Sequence, residues 1–83
     1  MFKSFSVTGS SLELLKIGEQ GIILFCKTQD EKILNQVISL GITPGICFTL
    51  EQNFPNVVIK VKQQTLVINK ELARKIYVRI LNR

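Results

Sequence analysis

The stretch SLGITPGICFTL, from Ser39 to Leu50, carries two chain-breaking signals almost back to back. A helix-like apolar run precedes it, and apolar/polar alternation follows it. Gly41 suits the left-handed position just past a helix end, and Ile42 then falls where a Schellman motif packs it back against Val37. Pro44 fixes φ and Gly45 permits φ > 0, the pair that a type II turn wants. Gly41, Pro44 and Gly45 therefore form a structural corner that reverses a helix and feeds it into a strand. A corner this sharp turns one element onto another in a small barrel.

The segments on either side fit that frame. TQDEKILNQVISLG is the clearest helix. Thr28 and Glu31 stand three apart, as a capping box requires, and Asp30 adds negative charge at the start. At about 100° per residue, Ile33, Val37 and Leu40 share one face, with Leu34 and Ile38 in a second apolar row beside it. GIILFCK reads as a short buried strand. After the corner, ICFTLEQ alternates with Ile46, Phe48 and Leu50 on one face. VVIKVK alternates with Val57, Ile59 and Val61 inward and Lys60 and Lys62 outward. QQT connects tightly to LVI. Asn69 can cap a short helical turn, KELARK, and IYVRIL is a last strand with Ile76, Val78 and Ile80 inward. The fold class is mainly β: a small, strongly bent barrel with one α-helix and a short helical turn before the last strand. Residues 1–11 read as an N-terminal arm with Phe2 and Phe5 as anchors, and residues 12–83 as the barrel domain.

Composition narrows the function. With 83 residues, one domain is the natural expectation, and such a chain buries only about 60–65% of its unfolded surface. No apolar run reaches the ~18 residues of a membrane span. The N-terminus lacks the apolar core of a signal peptide, so a cytoplasmic address follows. The chain has no histidine and six acids, Glu13, Glu19, Asp30, Glu31, Glu51 and Glu71. No pair of these has the apolar neighbourhood that acid–base chemistry needs. The two cysteines, Cys26 and Cys47, lack a histidine to activate them and are too few for a structural zinc site. They read as buried or half-buried free thiols. The sequence thus offers no catalytic residues, no metal ligands and no cofactor site.

The formal charge of +5 pulls toward anionic partners without choosing among them. Lys60 and Lys62 share a strand face, and Lys70, Arg74, Lys75, Arg79 and Arg83 crowd the C-terminal end. Small barrels bind nucleic acid through a basic face that carries exposed rings. Here Phe54 and Tyr77 are the rings available for that role. A basic barrel that binds nucleic acid is therefore the alternative to an interaction module, although no nucleic-acid motif appears.

The ordered set LLKIGEQGIIL, a helix ending LGITPG, then FTLEQ, then IKVKQQTLVINKELARKIYVRI resembles the FeoA family over roughly residues 12–80. LGITPG is its sharpest part, supported by Ala73, Ile76 and Val78 near the end. Gln36 stands where the family commonly has an Arg, and Gln63 near where it commonly has a Gly. The resemblance implies an SH3-like barrel acting as an accessory to the bacterial ferrous-iron transporter FeoB, or forming the C-terminal domain of a metal-responsive repressor. It implies protein–protein contact with the transporter's cytosolic GTP-binding portion. That places the protein in the cytoplasm, peripheral to the inner face of the membrane through its partner, with no membrane insertion and no specific nucleic acid. Leu34 and Ile38 are the candidate partner-contact residues if their row is exposed. The other reading is that the LELL segment folds over them to complete a small core.

Overall fold

Alternation along the strands decides which side chains meet. The computed structural model describes residues 9–81. Phe48 and Leu50 in Cys47–Gln52 (β3), Val57 and Ile59 in Val57–Val61 (β4), and Ile76 and Val78 in Ile76–Ile80 (β6) are all buried. Ile23 of Gln20–Cys26 (β2) and Ile68 of Gln64–Ile68 (β5) join them. With Ser10–Ser11 (β1), these strands form one antiparallel sheet in the order β1-β6-β2-β3-β4-β5. Because every long strand sends residues to the same core, the sheet must curl around it. Two irregularities help it bend. The pairing slips at Leu24, between Ile23 and Phe25, and at Glu51, between Leu50 and Gln52, and such bulges increase local twist.

The sheet begins at Ser10, paired with Val78, inside the segment read as an arm. Phe2 and Phe5 lie outside the described residues. Leu12–Leu14 is a 3-10 turn that seats Leu12 and Leu15 in the core. Its Glu13 reaches Arg74 at 3.3 Å, an exposed pair of the kind worth at most about 1 kcal/mol. Lys70–Ala73 (α2) is the short helical turn before the last strand. Its cap is Asn69, whose Oδ1 accepts from the Leu72 N–H at 2.8 Å.

Gly21 shows why a small residue is needed in β2. A Cβ there would lie 2.9 Å from the Phe48 ring and 3.0 Å from the Arg79 carbonyl oxygen. The ring fills the space over Gly21 and is itself buried.

The corner is built from four hydrogen bonds. The Gly41 N–H donates to Ile38 O at 2.9 Å and the Ile42 N–H to Val37 O at 3.1 Å, the two bonds of a Schellman motif. Gly41 stands at φ +87, and Ile42 is buried. Next, the Ile46 N–H donates to Thr43 O at 3.2 Å across Pro44 and Gly45, with Gly45 at φ +95. That pattern matches a type II turn. The Gly45 N–H donates to Ile23 O at 2.8 Å, tying the corner to β2.

The β4–β5 hairpin turns on Lys62 and Gln63, with Val61 paired to Gln64. The turn is as tight as two residues allow, and β5 starts earlier than LVI alone indicates. Lys62 takes φ +58 to make it, a conformation L-residues adopt at a cost.

Gly41→Val is expected to lower stability by about 1–2 kcal/mol through φ strain alone, since nothing lies within 4 Å of the added Cβ. Thermal unfolding checks this, at roughly 4–8 °C per kcal/mol for a domain of this size. Gly41→Asn, which tolerates the left-handed region, is expected to lose less. At the hairpin, Lys62→Gly is expected to gain about 0.5 kcal/mol and Lys62→Val to lose about 1 kcal/mol. Urea unfolding of that pair side by side is the check.

Candidate functional site

Helix Glu31–Ser39 (α1) presents both apolar rows, and the structure treats them differently. Val37 is buried, and Ile33 and Leu40 pack half-buried against the core. Leu34 is half-buried, while Ile38 keeps 57% of its surface exposed. The LELL segment contributes Leu12 and Leu15 to the core and leaves Ile38 open. The helix starts later than the capping-box spacing indicates. Asp30 is the cap, its Oδ1 accepting from the Lys32 N–H at 2.9 Å, while Thr28 Oγ1 accepts from the Asp30 N–H at 3.1 Å. The carboxylate therefore serves the cap itself, and Thr28 shapes the entry to it.

Between α1 and β2 lies an apolar groove of about 240 Å³. Buried Ile23, Val37, Ile42 and Ile76 form its floor, and Leu34 and Cys26 stand half-buried on its sides. Phe25, Ile38 and Pro44 form its exposed rim. Leu34, Ile38 and Pro44, singled out in the sequence for separate reasons, therefore meet at one place. Gly41 and Gly45 are not among the lining residues; they shape the backbone that carries Ile42 and Pro44 there.

Phe25 is the residue that sequence reasoning missed. GIILFC offered no alternation, so Phe25 was read as part of a buried strand. The bulge at Leu24 breaks the period and pairs Phe25 with Tyr77. The Phe25 ring ends 48% exposed and stacked on Tyr77, centroids 5.1 Å apart at 7°. Tyr77 is accordingly half-buried rather than a free ring. Phe54 is 76% exposed, with Lys70 Nζ 5.8 Å from its centroid.

The two thiols also diverge. Cys26 is half-buried in the groove, and burial pushes its thiol above the usual range, with nearby Lys75 pulling it back by less. Cys47 is exposed, contrary to the sequence expectation. It precedes inward Phe48 on β3, so alternation turns it outward. Both are free. Among the described residues, no three of Cys, Asp and Glu gather as a metal-holding group. What the groove can do is exclude water from an apolar side chain.

The model of the FeoA domain matches residues 10–80. The chain belongs to the FeoA family. It is 32% identical over 77 residues to a Leptolyngbya boryana protein named for Fe(2+) transport, covering 92% of this chain and 94% of that one. An iron uptake regulatory protein, FeoA, known from a crystal structure, superposes with a TM-score of 0.78 at 25% identity, covering 90% of this chain and all of that one. The solution structure of a FeoA-like protein from Clostridium acetobutylicum gives a TM-score of 0.82 at 18% identity, over 94% and 93% of the two chains. The fold is thus the small SH3-like barrel of FeoA proteins. In this FeoA chain the two-residue turn forms without a glycine at Gln63, because Lys62 absorbs the positive φ.

Alkylation with iodoacetamide at about pH 8 is expected to modify Cys47 roughly tenfold or more faster than Cys26. The Cys26 rate should keep rising with pH above the usual thiol range, because burial delays formation of its thiolate. Peptide mapping by mass spectrometry reads both rates.

Proposed function

We propose that this FeoA-family chain is a non-catalytic accessory of ferrous iron uptake that docks, through the groove beside α1, on the cytosolic GTP-binding part of a FeoB-type transporter. The observation that carries this reading is the exposed apolar rim of Phe25, Ile38 and Pro44 around an apolar groove. A domain this small needs its apolar surface for its own core, so a rim left open is suited to a partner. Family membership and the name of the L. boryana relative support iron transport as the setting. Iron is the transporter's cargo in this scheme, and the adaptor acts by contact. No helix among the described residues is long and apolar enough to cross a membrane, which fits a protein that reaches the membrane through its partner.

The test pairs folding with association. Ile38→Asp is expected to shift stability by no more than about 0.5 kcal/mol, as exposed positions do. It should weaken calorimetric binding to the purified cytosolic GTP-binding domain by about tenfold, or roughly 1.4 kcal/mol. An unfolded Ile38→Asp variant would place that row in the core. A folded variant that binds like the parent would remove the groove from the interface.

A further inference from the structure

Among the described residues, the sheet order leaves β5 at an edge, hydrogen-bonded only to β4. The register fixes which of its groups are free. Val61 and Gln64 close a two-residue hairpin, so they form a hydrogen-bonded pair, and the pattern alternates from there. Gln64, Leu66 and Ile68 spend their backbone groups on β4. Thr65 and Val67, opposite Lys60 and Val58, point their N–H and C=O groups away from the sheet. The Val67 side chain is 61% exposed. At the hairpin tip, Val61–Gln64 line an open groove of about 790 Å³ with Gly41 and Ile46.

Free edges are commonly protected by proline, charge or a bulge. Residues 63–69 read QQTLVIN, with no proline and no charge, and Lys62 and Lys70 stand at the two ends. Those lysines decide the occupant. A second copy paired antiparallel about Leu66 would bring Lys62, in the hairpin turn, toward the other copy's Lys70, the first residue of α2, at both ends. A parallel pairing would set each lysine against its own equivalent. Both arrangements add like-charge contacts to a chain already at +5. An extended apolar segment with acidic residues at each end meets none of these repulsions and gains two ion pairs.

We propose that β5 is a strand-addition site, where the free backbone groups of Thr65 and Val67 bind an extended apolar segment of a partner protein flanked by Asp or Glu. This surface is separate from the groove beside α1 and does not depend on the transporter reading. Backbone bonding supplies affinity, Val67 and half-buried Leu66 read alternate side chains, and Lys62 and Lys70 select acidic flanks. The contact is small, so binding is weak and fast, in the class of transient interfaces.

The probe is a synthetic peptide with a Val-Thr-Val-Thr-Val centre and two aspartates at each end. It is titrated into the isotope-labelled full chain and followed by amide NMR and hydrogen exchange. In the free protein, Thr65 and Val67 amides are expected to exchange fast while Leu66 is protected. The peptide should shift residues 64–68 and slow exchange at Thr65 and Val67 several-fold, and salt should weaken the effect. Lys62→Glu should reduce affinity several-fold. Val67→Pro removes an outward N–H and no ladder bond, so it should abolish the shifts while Leu66 stays protected. The proposal is overturned if no shifts appear up to about 1 mM, typical of weak contacts. It is equally overturned if a lysine-flanked version of the peptide binds as well, if the shifts centre on α1, or if Thr65 and Val67 are already protected by self-association.

Discussion

The bond from Gly45 N–H to Ile23 O joins the corner after the helix to the central strand, and most of the site hangs on it. It fixes how far the Pro44 turn stands from β2. It also follows directly on the Schellman pair at Gly41 and Ile42, whose bonds stop the helix and drop Ile42 into the core. Helix, corner and strand thereby become one rigid frame. The groove is the gap that this frame leaves between α1 and β2, and backbone bonds hold the corner at its end in place. A site held on backbone geometry stays open in the free protein, which lowers the ordering cost of binding.

Two kinds of exposed surface result, with different physics. The α1 groove is apolar and offers burial of side chains, which is non-directional. The β5 edge offers oriented backbone groups and therefore selects for an extended conformation. The basic side chains are partly engaged, Arg74 with Glu13 and Lys70 over Phe54. The stacking of Phe25 on Tyr77 also takes up a ring face that a nucleic-acid base would use.

Much of this was legible in the sequence because local rules reach that far. Alternation located the inward faces of β3, β4 and β6. Gly41, Pro44 and Gly45 marked the corner by backbone chemistry, and Asn69 marked the short helix. Leu34 and Ile38 could be assigned to a second helical row, although only tertiary packing decides which row is covered. The rest was illegible for definite reasons. A bulge is one extra residue in a ladder, so the outward turn of Phe25 leaves no trace in an unbroken apolar run. Thr28 and Asp30 both have capping side chains, and their competition is settled by the path of the chain into the helix. Ser10 and Ser11 enter the sheet through their backbone, which composition does not reveal. Which strand becomes a free edge is a property of strand order, and the sequence prints no order.

That strand order also bears on how the chain reaches its native state. β2 finds two neighbours, and one of them, β6, lies more than half the chain away in sequence. β1 likewise waits for β6. The consecutive strands β3, β4 and β5 can zip by short turns, but the core closes only when the last strand arrives. Closure over so long a loop is entropically costly and places the domain among the slower, non-local folders. During synthesis, β2 is therefore unpaired on one side until β6 is free, leaving the apolar run Ile22 to Cys26 uncovered in the meantime.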